Sequence, residues 1–197
     1  MSRPPSVLLI RHAPSTATRR FLFPADEPLD DGGRRTAGEL AGCVRADRAV
    51  TSPAARCRET AALAGFPDAE VEPGLAELDF GSWAGRDPHE IGRATPAELE
   101  GWYADPNTAP HGGETLDALN DRLARALDRL RHRGGTTAVF THGGPIKCAI
   151  LQALEAPMSS MWRIDIAPCS LTELHARPDG GWTLVRSNVR VAPAGAA

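Results

Sequence analysis

His12 and His142 each close an apolar run, Val7-Leu8-Leu9-Ile10-Arg11-His12 and Ala138-Val139-Phe140-Thr141-His142. A neutral imidazole nitrogen can attack phosphorus and hold the phosphoryl group covalently, which divides one difficult displacement into two easier ones. A phosphate ester arrives with about two negative charges. Guanidinium groups bind its oxygens in pairs and stay charged at every working pH. Arg11, next to His12, and Arg56, in Ser52-Pro53-Ala54-Ala55-Arg56, supply that chemistry. Phosphoryl transfer has a loose transition state with charge on the equatorial oxygens, so fixed cations and positioning provide most of the catalysis and no metal is required in principle. His142 can add a hydrogen bond to the phosphoryl oxygens, and the backbone amide of Gly143 opens a helix N-terminus that favours an anion. The leaving oxygen needs a proton, and Glu77, among apolar Ala76, Leu78 and Phe80, suits a general acid, with Asp79 as the alternative.

These side chains need a scaffold that aims them at one place. In open α/β sheets ligands sit beyond the carboxyl ends of the strands, where both histidines are expected. The run 6–10 reads as a strand buried on both faces. After a turn-rich stretch over 14–33, Ala37, Leu40, Ala41 and Val44 at helical spacing predict a helix over 34–44. A short strand follows over 49–51, and Ser52-Pro53 is expected to cap and open a helix over 54–64. Val71 centres a weak strand. Leu116, Leu119, Leu123, Leu127 and Leu130 predict a long amphipathic helix over 114–130. A strand over 136–141, a helix over 146–154 opened by Gly143-Gly144-Pro145, and closing strands over 170–175 and 182–186 complete the series. The alternation predicts a three-layer α/β/α sandwich with a mostly parallel central sheet, in one domain of 197 residues. The stretch 86–113, rich in Pro, Gly and acidic residues, reads as a lid-like insertion in which Trp102 and Tyr103 can wall the substrate cleft. Residues 192–197 read as a frayed tail.

Composition narrows the partners. Hydrophobic residues make up 42% and charged residues 24%, ordinary for a water-soluble globular chain. A net charge of −3 gives no general attraction to nucleic acid or anionic membranes. No apolar run approaches a signal-peptide core or a membrane span, so the cytoplasm is the expected location. Cys43, Cys57, Cys148 and Cys169 lack a CxxC pair and are expected to be reduced thiols. His89, His111, His132 and His175 lack metal-ligand spacing, so neither a metal nor a cofactor is expected. The expected partner is a small-molecule phosphate ester, with at most a second copy of the chain in a homodimer.

Taken together, Arg11-His12-Ala13, Ser52-Pro53-Ala54-Ala55-Arg56 and Thr141-His142-Gly143-Gly144 resemble, in this order, the motifs of the histidine phosphatase superfamily, whose fold is phosphoglycerate mutase-like. Pro28-Leu29 with Gly33, Glu77 with Phe80-Gly81-Ser82-Trp83, and Gly112-Gly113-Glu114-Thr115 extend the resemblance over nearly the whole chain. It is most similar to the α-ribazole and broad-specificity phosphatase branch. The resemblance implies a phosphomonoesterase working through a phosphohistidine on His12. It further implies that Ser15 and Thr18 touch the phosphate and that Glu114 belongs to the lid side of the site. Ala13 and Pro14 depart from the family's usual residues, and a methyl at position 13 is expected to narrow the pocket or reshape its loop. Two alternatives stay open: a mutase, disfavoured because only 64 residues separate Glu77 from His142, and a binding or repurposed member of the fold.

Overall fold

The first strand, β1 (Ser6–Arg11), sends alternate side chains to opposite faces of a sheet. Val7 and Leu9 enter one core and Leu8 and Ile10 another, which is why the run has no polar alternation. In this computed structural model residues 4–191 are described; the expected tail at 192–197 lies outside them.

Six strands form one sheet in the order β3-β2-β4-β1-β5-β6, with β2 (Arg48–Thr51), β3 (Glu70–Val71), β4 (Thr136–Thr141), β5 (Ser170–Ala176) and β6 (Trp182–Arg190). The four from β3 to β1 are parallel; β5 runs antiparallel to β1 and β6 antiparallel to β5. On one face lie α2 (Asp31–Gly38) and α3 (Ala55–Leu63), whose Ala37 and Ala61 pack with Leu8, Ile10 and Phe140. On the other lie α6 (Leu116–His132) and α7 (Gly143–Ala153), reached through Val7, Leu9 and Val139. A short α1 (Thr16–Arg20) follows the first strand, while α4 (Pro88–Ala94) and α5 (Pro96–Ala104) occupy the expected insertion. Each of these last two helices begins at a proline, which fits the first turn because no intrahelical N–H is lost there.

The five leucines expected along α6 are at most 2% exposed, and burying each contributes roughly 1.5–3 kcal/mol. Thr115 caps that helix, its hydroxyl accepting from the Ala118 amide at 3.1 Å, and Arg129, Arg131 and His132 suit the negative end.

Three local expectations need correction. The helix expected over 34–44 is α2, which starts at Asp31 under an Asp30 cap and stops at Gly38; the chain then passes through tight turns to Gly42, whose φ of 74° no helix tolerates. Leu40 and Val44 still reach the core from those turns, whereas Ala41 is exposed. The cap of α3 is Ala54, which has no side-chain bond of its own; Ser52, two residues earlier, takes the Ala54 amide on its hydroxyl and also bonds His142. The helix expected over 146–154 begins at Gly143, directly after His142.

Candidate active site

β1 and β4 are hydrogen-bonded neighbours with Arg11 opposite Thr141, and the His12 amide donates to the Thr141 carbonyl at 2.9 Å. The residues after each strand therefore meet, and the rings of His12 and His142 lie 5.1 Å apart at 67°. His12 is 4% exposed, and its Nδ1–H donates to the Ala13 carbonyl at 2.7 Å. An acceptor at Nδ1 fixes the tautomer and leaves the lone pair on Nε2. Burial, with the positive charges of Arg56 and Arg11, pushes the His12 pKa down to about 3 against the smaller opposing effect of the Ala13 carbonyl. The ring is thus neutral at physiological pH, the form in which nitrogen can attack.

His142 is fully buried. Its Nε2 is 2.7 Å from the Ser52 hydroxyl and 3.3 Å from the Cys57 thiol. Burial first, then the fields of His12, Arg56 and Arg11, hold it well below the usual histidine range. The Ser52 hydroxyl also accepts from the Ala54 amide at 3.3 Å, so it ties the start of α3 to His142.

The two arginines approach the histidines from different elements. Arg56, on the first turn of α3, is 3% exposed; its Nη1 donates to the Ala25 carbonyl at 2.6 Å and lies 3.9 Å from the Glu27 carboxylate. Arg11 donates through Nη1 to the Ile166 carbonyl. Among the described residues the buried Nε of each arginine has no hydrogen-bond partner. Such orphaned donors on charged groups are costly unless something polar fills the space between them.

Glu77 reaches the start of α7 from the loop before the insertion, its carboxylate accepting from the Leu78 amide at 3.0 Å and the Gly144 amide at 3.5 Å. A Cβ on Gly144 would lie 2.2 Å from Glu77 Oε1, so only glycine at 144 lets the carboxylate sit there. Arg122 of α6 holds this loop from below, donating to the carbonyls of Gly74, Ala76 and Glu77 at 3.0, 2.8 and 2.8 Å. Glu114 anchors Arg122 through bonds of 2.7 and 2.9 Å. The structure thus puts Glu114 on Arg122 and gives it a part in holding the Glu77 loop.

The remaining expected residues divide. Gly143 and Trp102 line a cleft of about 220 Å³ together with Arg11 and Glu77. A second cavity of about 420 Å³ holds Arg56, and Glu77, Leu78 and Phe80 form the wall between the two. Ser15 and Thr18 line neither. The Ser15 hydroxyl donates to Glu27 at 2.8 Å, lies 3.2 Å from the Thr18 hydroxyl and caps α1. Ala13 has an ordinary negative φ and packs its methyl into the core beside Leu8 and Leu29, so it does not narrow either cavity. His111 is buried against Trp83 and Trp102, its Nδ1 accepting from the Gly113 amide at 3.0 Å.

Residues 7–190 match the model of the histidine phosphatase superfamily (branch 1). The chain belongs to that superfamily. It is 31% identical over 186 residues to a bifunctional protein of Mycobacterium tuberculosis, covering 88% of this chain and 51% of the relative. This chain thus spans about half the length of that relative. It is 27% identical over 180 residues to phosphoserine phosphatase 1 of Hydrogenobacter thermophilus, covering 86% and 85% of the two chains. The solved α-ribazole phosphatase of Shigella flexneri superposes with a TM-score of 0.82 at 24% identity, over 96% of this chain and 98% of that one. At that identity the likeness concerns the fold, the phosphoglycerate mutase-like α/β arrangement expected for this superfamily. Among the described residues no helix is long and apolar enough to cross a membrane, and no group of three or more His, Cys, Asp or Glu is placed to hold a metal ion.

The sequence reasoning missed Ser52 as the partner of His142 and Arg122 as the clamp on the Glu77 loop. Ser52 carried a signal in its motif, but a helix cap was the more local explanation. Arg122 carried none, because its carbonyl partners lie 45 and more residues away.

Proposed function

We propose that the protein hydrolyses a small-molecule phosphate monoester through a phosphohistidine on His12. The observation that carries this reading is the pair of buried guanidiniums, Arg11 and Arg56, whose Nε donors have no partner among the described residues, acting on a neutral imidazole whose Nδ1–H is committed to the Ala13 carbonyl.

In the first half-reaction His12 Nε2 forms a bond to phosphorus as the ester P–O bond breaks. Arg11, Arg56, His142 and the Gly143 amide hold the equatorial oxygens, and Glu77 gives its proton to the departing alkoxide. In the second, Glu77, now a carboxylate, takes a proton from water as water oxygen bonds to phosphorus and the P–N bond breaks. Inorganic phosphate leaves and His12 returns neutral. The positive charge comes from the guanidiniums, so the scheme calls for no metal.

Ser15 and Thr18 support the loop that carries Glu27 and so set the distance between Glu27 and Arg56. The insertion over 86–113 serves as the lid through Trp102 and Tyr103, which border the cleft. Four unpaired cysteines fit a reducing location, the cytoplasm.

The test is phosphate release from a phosphorus-labelled aryl phosphate in the presence of chelator, for the wild type and His12→Ala, with an alkaline denaturing quench to preserve the acid-labile, base-stable phosphohistidine. Turnover in chelator that collapses by orders of magnitude in the variant, with label on the wild-type protein, is the expected result. Wild-type turnover that persists in His12→Ala refutes it.

A further inference from the structure

Past Arg11 and Glu77 the cleft reaches polar groups for which the hydrolytic scheme has no use. Lys147 is the chain's one lysine, against 21 arginines. It stands on α7 one turn beyond Gly143, on the same helical face, and borders the same cleft. It is half-buried and, among the described residues, makes no hydrogen bond or ion pair. Burial, then the neighbouring charge of Arg11, lowers its pKa, while Asp165 and Glu77 act in the opposite direction. Asp165, at the exposed rim of the cleft, likewise has no ion-pair partner among the described residues. Trp102, 2% exposed and also bordering the cleft, has an indole N–H with no acceptor among the described residues.

The cleft therefore offers an unspent cationic donor on Lys147 and a carboxylate at its mouth, with the unpartnered Trp102 indole N–H buried in its wall. Buried or half-buried donors of this kind gain most from an anionic oxygen. We propose that this end of the cleft selects monoesters whose alcohol carries an α-ammonium carboxylate, the O-phospho amino acid class: the carboxylate accepts from Lys147 and from Trp102 Nε1–H, and the ammonium faces Asp165. The inference rests on the phosphatase reading of the same site.

The lining argues against other classes. A second phosphate would bring two further negative charges beside Asp165 and Glu77. A carboxylate without an ammonium would gain nothing from Asp165.

Steady-state kcat/KM is measured for O-phospho-L-serine, O-phospho-L-tyrosine, 3-phosphoglycerate, glucose 6-phosphate and 4-nitrophenyl phosphate, with wild type, Lys147→Met and Asp165→Asn. Among the metabolite esters the phospho amino acids rank highest. Lys147→Met lowers the ratio of O-phosphoserine to 4-nitrophenyl phosphate about tenfold or more. Asp165→Asn moves preference from O-phosphoserine towards 3-phosphoglycerate. Aryl phosphate turnover with both ratios unmoved, or with glucose 6-phosphate ranked highest, overturns the inference and leaves the phosphatase reading intact. Silence on every ester overturns the phosphatase reading itself. Recognition is then read from thermal shift, and O-phosphoserine that stabilises the protein no more than inorganic phosphate overturns the inference too.

Discussion

Arg122 carries no reacting atom, yet it is the group whose loss tests most directly how Glu77 is held. Its side chain donates to the carbonyls of Gly74, Ala76 and Glu77 and shares two bonds with Glu114, and the two side chains are 19% and 17% exposed. Replacing it with Met keeps the aliphatic stem and removes the charge. Breaking a well-buried ion pair costs about 3–5 kcal/mol, and the residual solvent contact of this one places the effect at the lower end, about 3 kcal/mol. For a domain of this size each kcal/mol shifts the melting temperature by about 2–4 °C, so Arg122→Met should melt about 6–12 °C lower. The loop that loses its anchors carries Glu77, and a displacement of about 1 Å at a reacting group costs on the order of 10²-fold in rate. Scanning fluorimetry gives the first quantity. Turnover of an alkyl and a nitrophenyl phosphate, measured well below the variant's melting temperature, gives the second. The alkyl ester should suffer more, because its alkoxide depends on the proton from Glu77. A lowered melting temperature with unchanged alkyl turnover would refute the positioning argument; an unchanged melting temperature would refute the energetic one.

Two further outcomes follow from the histidines. In the unfolded chain His12 takes a proton near pH 6.5, whereas in the folded protein it does so only near pH 3, so its contribution to stability is intact above 6.5 and declines as pH falls, by about 1.4 kcal/mol per unit. Urea unfolding at pH 6.5 and 5.0 should therefore show a fall of about 2 kcal/mol from this group that His12→Gln lacks, and identical pH dependence in the two proteins would contradict the burial argument. Ser52→Ala removes the partner of His142 Nε2 and should lower kcat about tenfold, with KM little changed and with a changed imidazole nitrogen NMR signature for His142. Ser52→Thr, which keeps the hydroxyl, should restore both, and a Thr variant as slow as the Ala variant would count against this role.

Much of this protein could be read from local pattern alone. A buried strand ending in Arg11-His12, a leucine face along α6 and a second strand ending in His142 each depend on residues within one element, where period and composition report burial directly. The pairing of β1 with β4, which brings the two histidines together, was accessible through a general rule of parallel sheets. Other features were decided only by the tertiary structure. Ser52 looked like a helix cap because caps are made by near neighbours, but its stronger partner is His142, 90 residues away. Glu114 looked like a site residue, and three-dimensional packing pairs it with Arg122. Ser15 and Thr18 found each other and Glu27. Lys147 was visible as the one lysine in a chain of arginines, but its meaning required knowing that it borders the cleft and forms no ion pair among the described residues. Hydrophobic period fixes which face of an element is buried. Which polar group meets which across the fold depends on distances that no local pattern carries, and at this site those distances decide where the charge, the proton and the open donors lie.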